Sequence, residues 1–295
     1  MTGRFGSVIT AMVTPFDDNG ALNVDAAVKL AKWLTDNGSD GLVLAGTTGE
    51  GPVLTDDEDV ELWRAVTEAV SVPVIAGTGT NDTRHTIELT KRAEDSGVAG
   101  ALVVTPYYNR PAQAGIEAHF RAVAAETKLP IIIYDIPIRT GRRVARDTFV
   151  RLSDVGNIVG VKDAALDVAG SAALRAAMPE SFEVYSGNDD QTLALMASAG
   201  AVGVISVASH WAGVYIAEMI AAAEKGDLGH AAEVNRRLLG SWDFQTSEAA
   251  PNPIPTKAMM RVMGHSVGQC RLPMGPAPAG LEDEARRVLA NLQRA

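Results

Sequence analysis

Cysteine is all but missing from this chain. Cys270 stands alone, which excludes an internal disulfide and leaves no thiolate set for a metal. The five histidines, at 85, 119, 210, 230 and 265, never fall at metal-ligand spacing, so no metal is expected. No apolar run approaches the length of a transmembrane helix, and "MTGRFGSVITAMVTPF" at the start has neither the apolar stretch nor the cleavage site of a signal peptide. A cytoplasmic protein with no membrane partner is therefore expected. Basic residues are in deficit, 26 against 36 acidic, for a net charge of −10, which speaks against a nucleic-acid or anionic-surface partner. There is no G-x-S-x-G elbow. "GTGTND" (77–82) lacks the third glycine and the strand–helix setting of a dinucleotide loop, so no cofactor is expected.

What is present is a chain of 295 residues, 46% hydrophobic, enough for one large core with or without a small appended piece. Short β-branched runs recur: "SVITAMV" (7–13), "GLVLA" (41–45), "VPVIAG" (72–77), "GALVV" (100–104), "PIIIY" (130–134), "NIVGV" (157–161), "FEVYS" (182–186) and "AVGVIS" (201–206). Amphipathic stretches such as "VDAAVKLAKWLTDNG" and "TRHTIELTKRAEDSG" lie between them, and their closing Asn-Gly and Ser-Gly suit helix C-caps. Strict alternation of strand and helix predicts an α/β protein with a parallel sheet. Eight strands favour a closed (β/α)8 TIM barrel over an open sheet. The strand signal stops after Gly226, so the barrel is assigned to residues 1–226. Residues 227–295, helical stretches broken by "PNPIP" and "RLPMGPAP", are read as a small C-terminal helical domain.

Barrel enzymes place their chemistry where strands end and βα loops begin. Polar motifs do follow the predicted strands: "GTTGE" (46–50), "TPYYN" (105–109), "YDIPIRTG" (134–141), "SGND" (186–189) and "ISVAS" (205–209). The most pointed case is "NIVGVKDAA" (157–165), in which Lys162 ends a short apolar run that reads as a buried strand, where a charge is expensive. Five of the seven lysines fall in or beside helix-like stretches open to water. Lys257, in "PIPTK", belongs to the tail. Lys162 either snorkels outward or points into the barrel mouth. In the mouth, desolvation among Val161, Ile133 and Ile205 would depress its pKa. Only the neutral amine attacks a carbonyl, and at the ordinary pKa of about 10.4 roughly one amine in a few thousand is neutral at pH 7; burial raises that share, as in Schiff-base lysines.

The other motifs divide the same way. "GTTGE" is a tight turn, or a turn whose two hydroxyls and backbone N–H groups hold a small carboxylate. Tyr107 and Tyr108 suit a core or an interface. Tyr134 ends the strand beside that of Lys162, where a phenol can move protons during carbinolamine formation. Arg139 is a solvated surface residue or a bidentate carboxylate clamp.

Taken in order, "GTTGE", "TPYYNRP", "YDIPIRTG", "GVKDA", "YSGND", "GVISV" and "NPIPTK" resemble the dihydrodipicolinate synthases. These sit within the class I pyruvate-dependent aldolase and lyase family, beside N-acetylneuraminate lyases and 2-keto-3-deoxy sugar acid aldolases. The resemblance runs from about residue 5 to about residue 275. It implies that Lys162 forms a Schiff base with pyruvate, that Tyr134 donates and accepts protons beside it, and that Thr47 and Tyr108 complete a relay. Tyr108 would cross a dimer interface into the neighbouring subunit's site. Thr48 would hold the pyruvate carboxylate, the Gly187 and Ile205 backbones would line the pocket, and Arg139 would bind the carboxylate of L-aspartate 4-semialdehyde. The implied product is 4-hydroxy-tetrahydrodipicolinate, on the route to diaminopimelate and lysine, and the implied assembly is a homotetramer of two tight dimers.

Asp135 and His210 depart from the asparagines common at those positions. Sugar-acid cleavage by the same Lys–Tyr pair is the alternative activity, and Arg139 argues against it. A barrel that only binds a keto acid would have lost one of Lys162, Tyr134, Thr47 or Tyr108. In lysine-inhibited relatives the resemblance also places a glutamate where this chain has His85, so a weak response to lysine is expected despite Asp56 and Asp59 nearby.

Overall fold

The computed structural model describes residues 3–294. Eight strands form a closed barrel in which each strand pairs with its sequence neighbours and β8 returns to β1, all in parallel. They are β1 (Val8–Ala11), β2 (Gly41–Leu44), β3 (Val74–Gly77), β4 (Gly100–Val104), β5 (Ile131–Asp135), β6 (Ile158–Asp163), β7 (Glu183–Ser186) and β8 (Gly203–Ser206). Every predicted strand is present; most are trimmed at their ends, β4 matches, and β5 and β6 run on past the predicted runs to Asp135 and Asp163, which puts Lys162 inside β6.

The intervening helices are α1 (Val24–Asp36), α2 (Asp56–Ala69), α3 (Thr83–Glu94), α4 (Gln113–Ala125), α5 (Pro137–Thr140), α6 (Arg146–Leu152), α7 (Val168–Ala177), α8 (Thr192–Ala199) and α9 (Ser209–Glu224). Local chemistry sets their ends. Thr55 and Glu58 form a reciprocal capping box on α2, satisfying two N–H groups that the first turn leaves unpaired. Beyond α1, Gly38 takes φ +98°, a left-handed backbone open to glycine at little cost.

Side chains alternate across each strand, and two apolar layers result. Ile9, Val43, Ile75, Leu102, Ile132, Tyr134, Tyr185 and Ile205 pack together inside the barrel. Val8, Leu42, Val74, Val103, Ile133, Val161, Val184 and Val204 pack outward with the helices. This corrects one sequence expectation. Ile133 and Val161 face the helical layer, because they neighbour inward-facing Tyr134 and Lys162 in the chain and must point the other way; of the three residues expected around Lys162, only Ile205 shares the interior.

Past α9 come α10 (Leu228–Phe244), α11 (Ile254–Val262) and α12 (Leu281–Arg294). These segments are tied to the barrel. Trp211 donates to Ser241 at 3.0 Å, and Lys257, assigned to the tail, is fully buried and ion-paired to Glu50 at 2.6 Å. Among the described residues, no helix is long and apolar enough to cross a membrane.

Candidate active site

The parallel register sets Tyr134 of β5 directly beside Lys162 of β6, with Tyr185 of β7 next in line. All three are buried. The Lys162 Nζ stands 4.3 Å from the centre of the Tyr134 ring, within cation–π range. Burial dominates the ionisation of both groups. It depresses the Lys162 amine to about 8, with the Arg139 charge pushing the same way and the Asp189 carboxylate pulling back. It pushes the Tyr134 phenol up to about 12, opposed by the Arg139 charge and by the adjacent Thr47 hydroxyl. One cation thus acts on both groups, although Arg139 itself is exposed on α5. With a pKa of 8, about one amine in ten is neutral at pH 7, a gain of a few hundredfold over an ordinary lysine.

"GTTGE" is both a tight turn and a presenter of hydroxyls. Ala45 and Glu50 take left-handed φ of 55° and 58°, a strained conformation for residues with a side chain. A Cβ on Gly51 would come within 2.3 Å of the Ala45 carbonyl oxygen, so that position requires glycine. The turn is held by Glu50 N–H to Thr47 O and Gly51 N–H to Gly46 O, both 3.1 Å, and by the Thr14 hydroxyl donating to Gly49 O at 2.6 Å. Thr48 is buried, and its hydroxyl accepts from the Asn252 side-chain amide at 3.0 Å, which leaves its own proton free to donate.

Gly187 donates to Asp163 O at 2.8 Å, and a Cβ there would meet that of Ala164 at 2.8 Å; only glycine allows β6 and β7 to close so tightly. Ile205 lies on the inner face of β8, opposite Ile9 of β1. Tyr108 is not brought to the site of its own chain. It stands 88% exposed at φ 72°, an unusual conformation for an aromatic residue.

Both departures turn out to be scaffold groups. His210 is fully buried, donates through Nδ1 to Val207 O at 2.7 Å and accepts at Nε2 from the Val13 N–H at 3.1 Å. These two bonds fix a neutral tautomer, and burial holds its pKa down at about 4. Asp135 faces away from Tyr134 and accepts from the Val144 N–H at 3.2 Å, with burial lifting its carboxyl to about 7.

Three groups escaped the sequence reading. Asp189 was visible only as the last letter of "SGND" and Asn252 only as part of a helix-breaking run, while Glu50 closed a motif valued for its threonines. Each is buried, a fact with no signature in sequence.

Residues 4–292 match the Dihydrodipicolinate synthetase family. The chain is 45% identical over 291 residues to the 4-hydroxy-tetrahydrodipicolinate synthase of Thermosynechococcus vestitus, covering 98% of this chain and 97% of that one. It is 48% identical over 293 residues to the enzyme of the same name from Acidothermus cellulolyticus, covering 98% and 91%. A dihydrodipicolinate synthase structure from Bacillus anthracis superposes with a TM-score of 0.93 at 42% identity over 98% and 99% of the two chains. One from Cyanidioschyzon merolae with lysine bound gives 0.95 at 40% identity over the whole of both chains.

Proposed function

The chain belongs to the dihydrodipicolinate synthetase family, and from that premise we propose the roles of its site residues in the family reaction. The enzyme is a Schiff-base-forming lyase that condenses pyruvate with L-aspartate 4-semialdehyde to give 4-hydroxy-tetrahydrodipicolinate. The observation that carries the assignment is the pairing of a buried lysine, its amine drawn down toward neutrality, with a buried tyrosine 4.3 Å away.

The neutral Lys162 amine adds to the keto carbon of pyruvate. Tyr134 returns protons to the carbonyl oxygen, which leaves as water, and then helps take one from the methyl carbon to form the enamine. A phenol whose proton is held this tightly is a weak acid alone, so a relay through Thr47 is needed to resupply it. Thr48 holds the pyruvate carboxylate with its free O–H and the turn's N–H groups, and the Gly187 and Ile205 backbones line the pocket. Arg139, exposed at the entrance, clamps the carboxylate of the semialdehyde. The enamine attacks the aldehyde carbon, and the substrate's own amine displaces Lys162 as the ring closes.

Tyr108, extended from its own subunit, is assigned to the relay of a neighbouring one, which requires a tight dimer, with the homotetramer as the whole assembly. We assign residues 1–226 to the catalytic barrel, residues 227–295 to a helical domain bracing the "GTTGE" turn, and the enzyme to the cytoplasm. The test is borohydride reduction in the presence of pyruvate. The adduct should map to Lys162 alone, and an adduct on Lys257, or none, overturns the mechanism. A coupled assay offering pyruvate with L-aspartate 4-semialdehyde or with sugar aldehydes reads the second substrate directly.

A further inference from the structure

Asp189 opens the 3-10 turn Asp189–Gln191 between β7 and α8 and is 3% exposed. Its Oδ2 accepts the N–H groups of both Val207 and Ala208 at 3.0 Å. Its Oδ1 is buried and makes no hydrogen bond to any described residue. A half-bonded buried carboxylate is costly unless a cation stands near, and the cation within its electrostatic reach is Lys162. The two are not in direct contact, since no ion pair within 4.0 Å joins them among the described residues.

Schiff-base formation changes what that lysine carries. The amine forms a C–N bond to the keto carbon, the carbonyl oxygen departs as water with one net proton taken up, and the nitrogen keeps one hydrogen and a full positive charge. The adduct can also shed that proton, but only the charged iminium draws electrons well enough for the methyl carbon to lose a proton, so the site must favour the charged form.

We propose that Asp189 is the positioning counter-charge of the Lys162 iminium, its Oδ2 clamping the turn after β8 while its unpaired oxygen supplies the negative charge the adduct requires. This rests on the Schiff-base reading above. The charged and titratable groups around Lys162 are Tyr134 on β5, Tyr185 on β7, Arg139 on α5 and Asp189. Arg139 is a cation and opposes an iminium, and burial holds the protons on both tyrosines, which leaves Asp189 as the anion of the set. Burial pushes the Asp189 carboxyl above its ordinary pKa, opposed by the Ser206 hydroxyl, the two backbone N–H groups and the Lys162 charge, so a fixed cation on Lys162 is what holds it as the carboxylate.

Asp189→Asn tests this, because the amide oxygen still accepts both N–H groups while the charge is lost. The rate of pyruvate trapping by borohydride is followed against pH in both proteins. Without the anion, the ammonium form of Lys162 is less favoured, so the rising limb of the rate should move down by about one pH unit. The iminium is less favoured too, so the pyruvate concentration for half-maximal trapping should rise about tenfold. A merely structural role predicts the reverse for the limb, since a loosened site admits water and returns the amine toward its ordinary, higher pKa. A limb that stays in place or moves up therefore overturns the proposal.

If the wild type itself is not trapped on Lys162, the Schiff-base reading fails and this inference falls with it. A normal wild type beside an unmoved variant sinks the inference alone. Should the variant not fold, infrared spectra of the wild-type pyruvate adduct with 13C-labelled aspartate decide. A protonated-carboxyl band of a buried aspartate should be absent from the adduct or lost on forming it, and one that persists or is gained refutes an anionic Asp189.

Discussion

Replacing Lys257 with methionine should destabilise this protein by about 3–5 kcal/mol, the usual consequence of leaving one member of a buried ion pair without its partner. The side chains of Lys257 and Glu50 are only 1% and 2% exposed, and the Nζ lies 2.6 Å from Glu50 Oε1. The same Nζ donates to Gln269 O at 3.0 Å and sits 4.0 Å from the centre of the Phe16 ring. The other Glu50 oxygen accepts from the Arg271 backbone N–H at 2.8 Å, so Lys257→Met would leave a buried carboxylate with that bond and the neighbouring Cys270 thiol but without its paired cation. Burial nevertheless outweighs the attraction of Glu50, for the Lys257 amine is held below its ordinary pKa with desolvation as the largest cause. The pair is therefore costly to break and cheap to delete. Glu50→Gln with Lys257→Met should recover most of the lost stability, giving a coupling of about 2 kcal/mol or more. Urea unfolding at one fixed protein concentration measures all four proteins. Because Glu50 closes the turn carrying Thr47 and Thr48, Lys257→Met should also lose activity, and the double variant should regain part of it. Single variants that lose less than about 1 kcal/mol, or a double variant that loses the sum of the two, would refute the reasoning.

Three further outcomes are expected. Pyruvate trapping on wild-type Lys162 should rise about tenfold per pH unit up to about pH 8 and then level off, because the neutral amine reacts and its pKa is held near 8; a rise continuing unbroken to pH 10 would mean an ordinary, solvated lysine. Arg139→Ala should leave pyruvate trapping in place but weaken use of the semialdehyde about tenfold to a hundredfold, the value of a charge-assisted carboxylate contact of about 1.5–3 kcal/mol; normal KM for the aldehyde would return Arg139 to the surface. L-Lysine should inhibit weakly or not at all, since Asp56 is already bonded by His85 at 2.9 Å and faced by Arg92 at 3.7 Å, while burial and the neighbouring acids lift the Asp59 carboxyl to about 8. Saturable inhibition in an initial-rate titration below millimolar lysine contradicts this.

The sequence by itself determined the alternation of eight strands and their helices, because β-branched runs and amphipathic spacing are local patterns that backbone sterics and burial read directly. It also placed Lys162, Tyr134, Thr47, Thr48 and Arg139 at one end of the barrel, since a parallel closed sheet sends every strand's C-terminal end to the same face. Only the tertiary structure decided which neighbours those residues meet. That Ile133 and Val161 turn away from Lys162 follows from strand phase, which a run of unbroken apolar residues does not disclose. That Asp189 lies in the electrostatic field of Lys162, that Asn252 reaches Thr48 across 204 positions of sequence, and that Lys257 is buried against Glu50 all depend on barrel closure and on the return of the last helices to the barrel mouth. A charge in a sequence says nothing of its solvation; burial and distance, which arise only when the chain closes on itself, draw the Lys162 amine toward neutrality and pair that of Lys257 with Glu50.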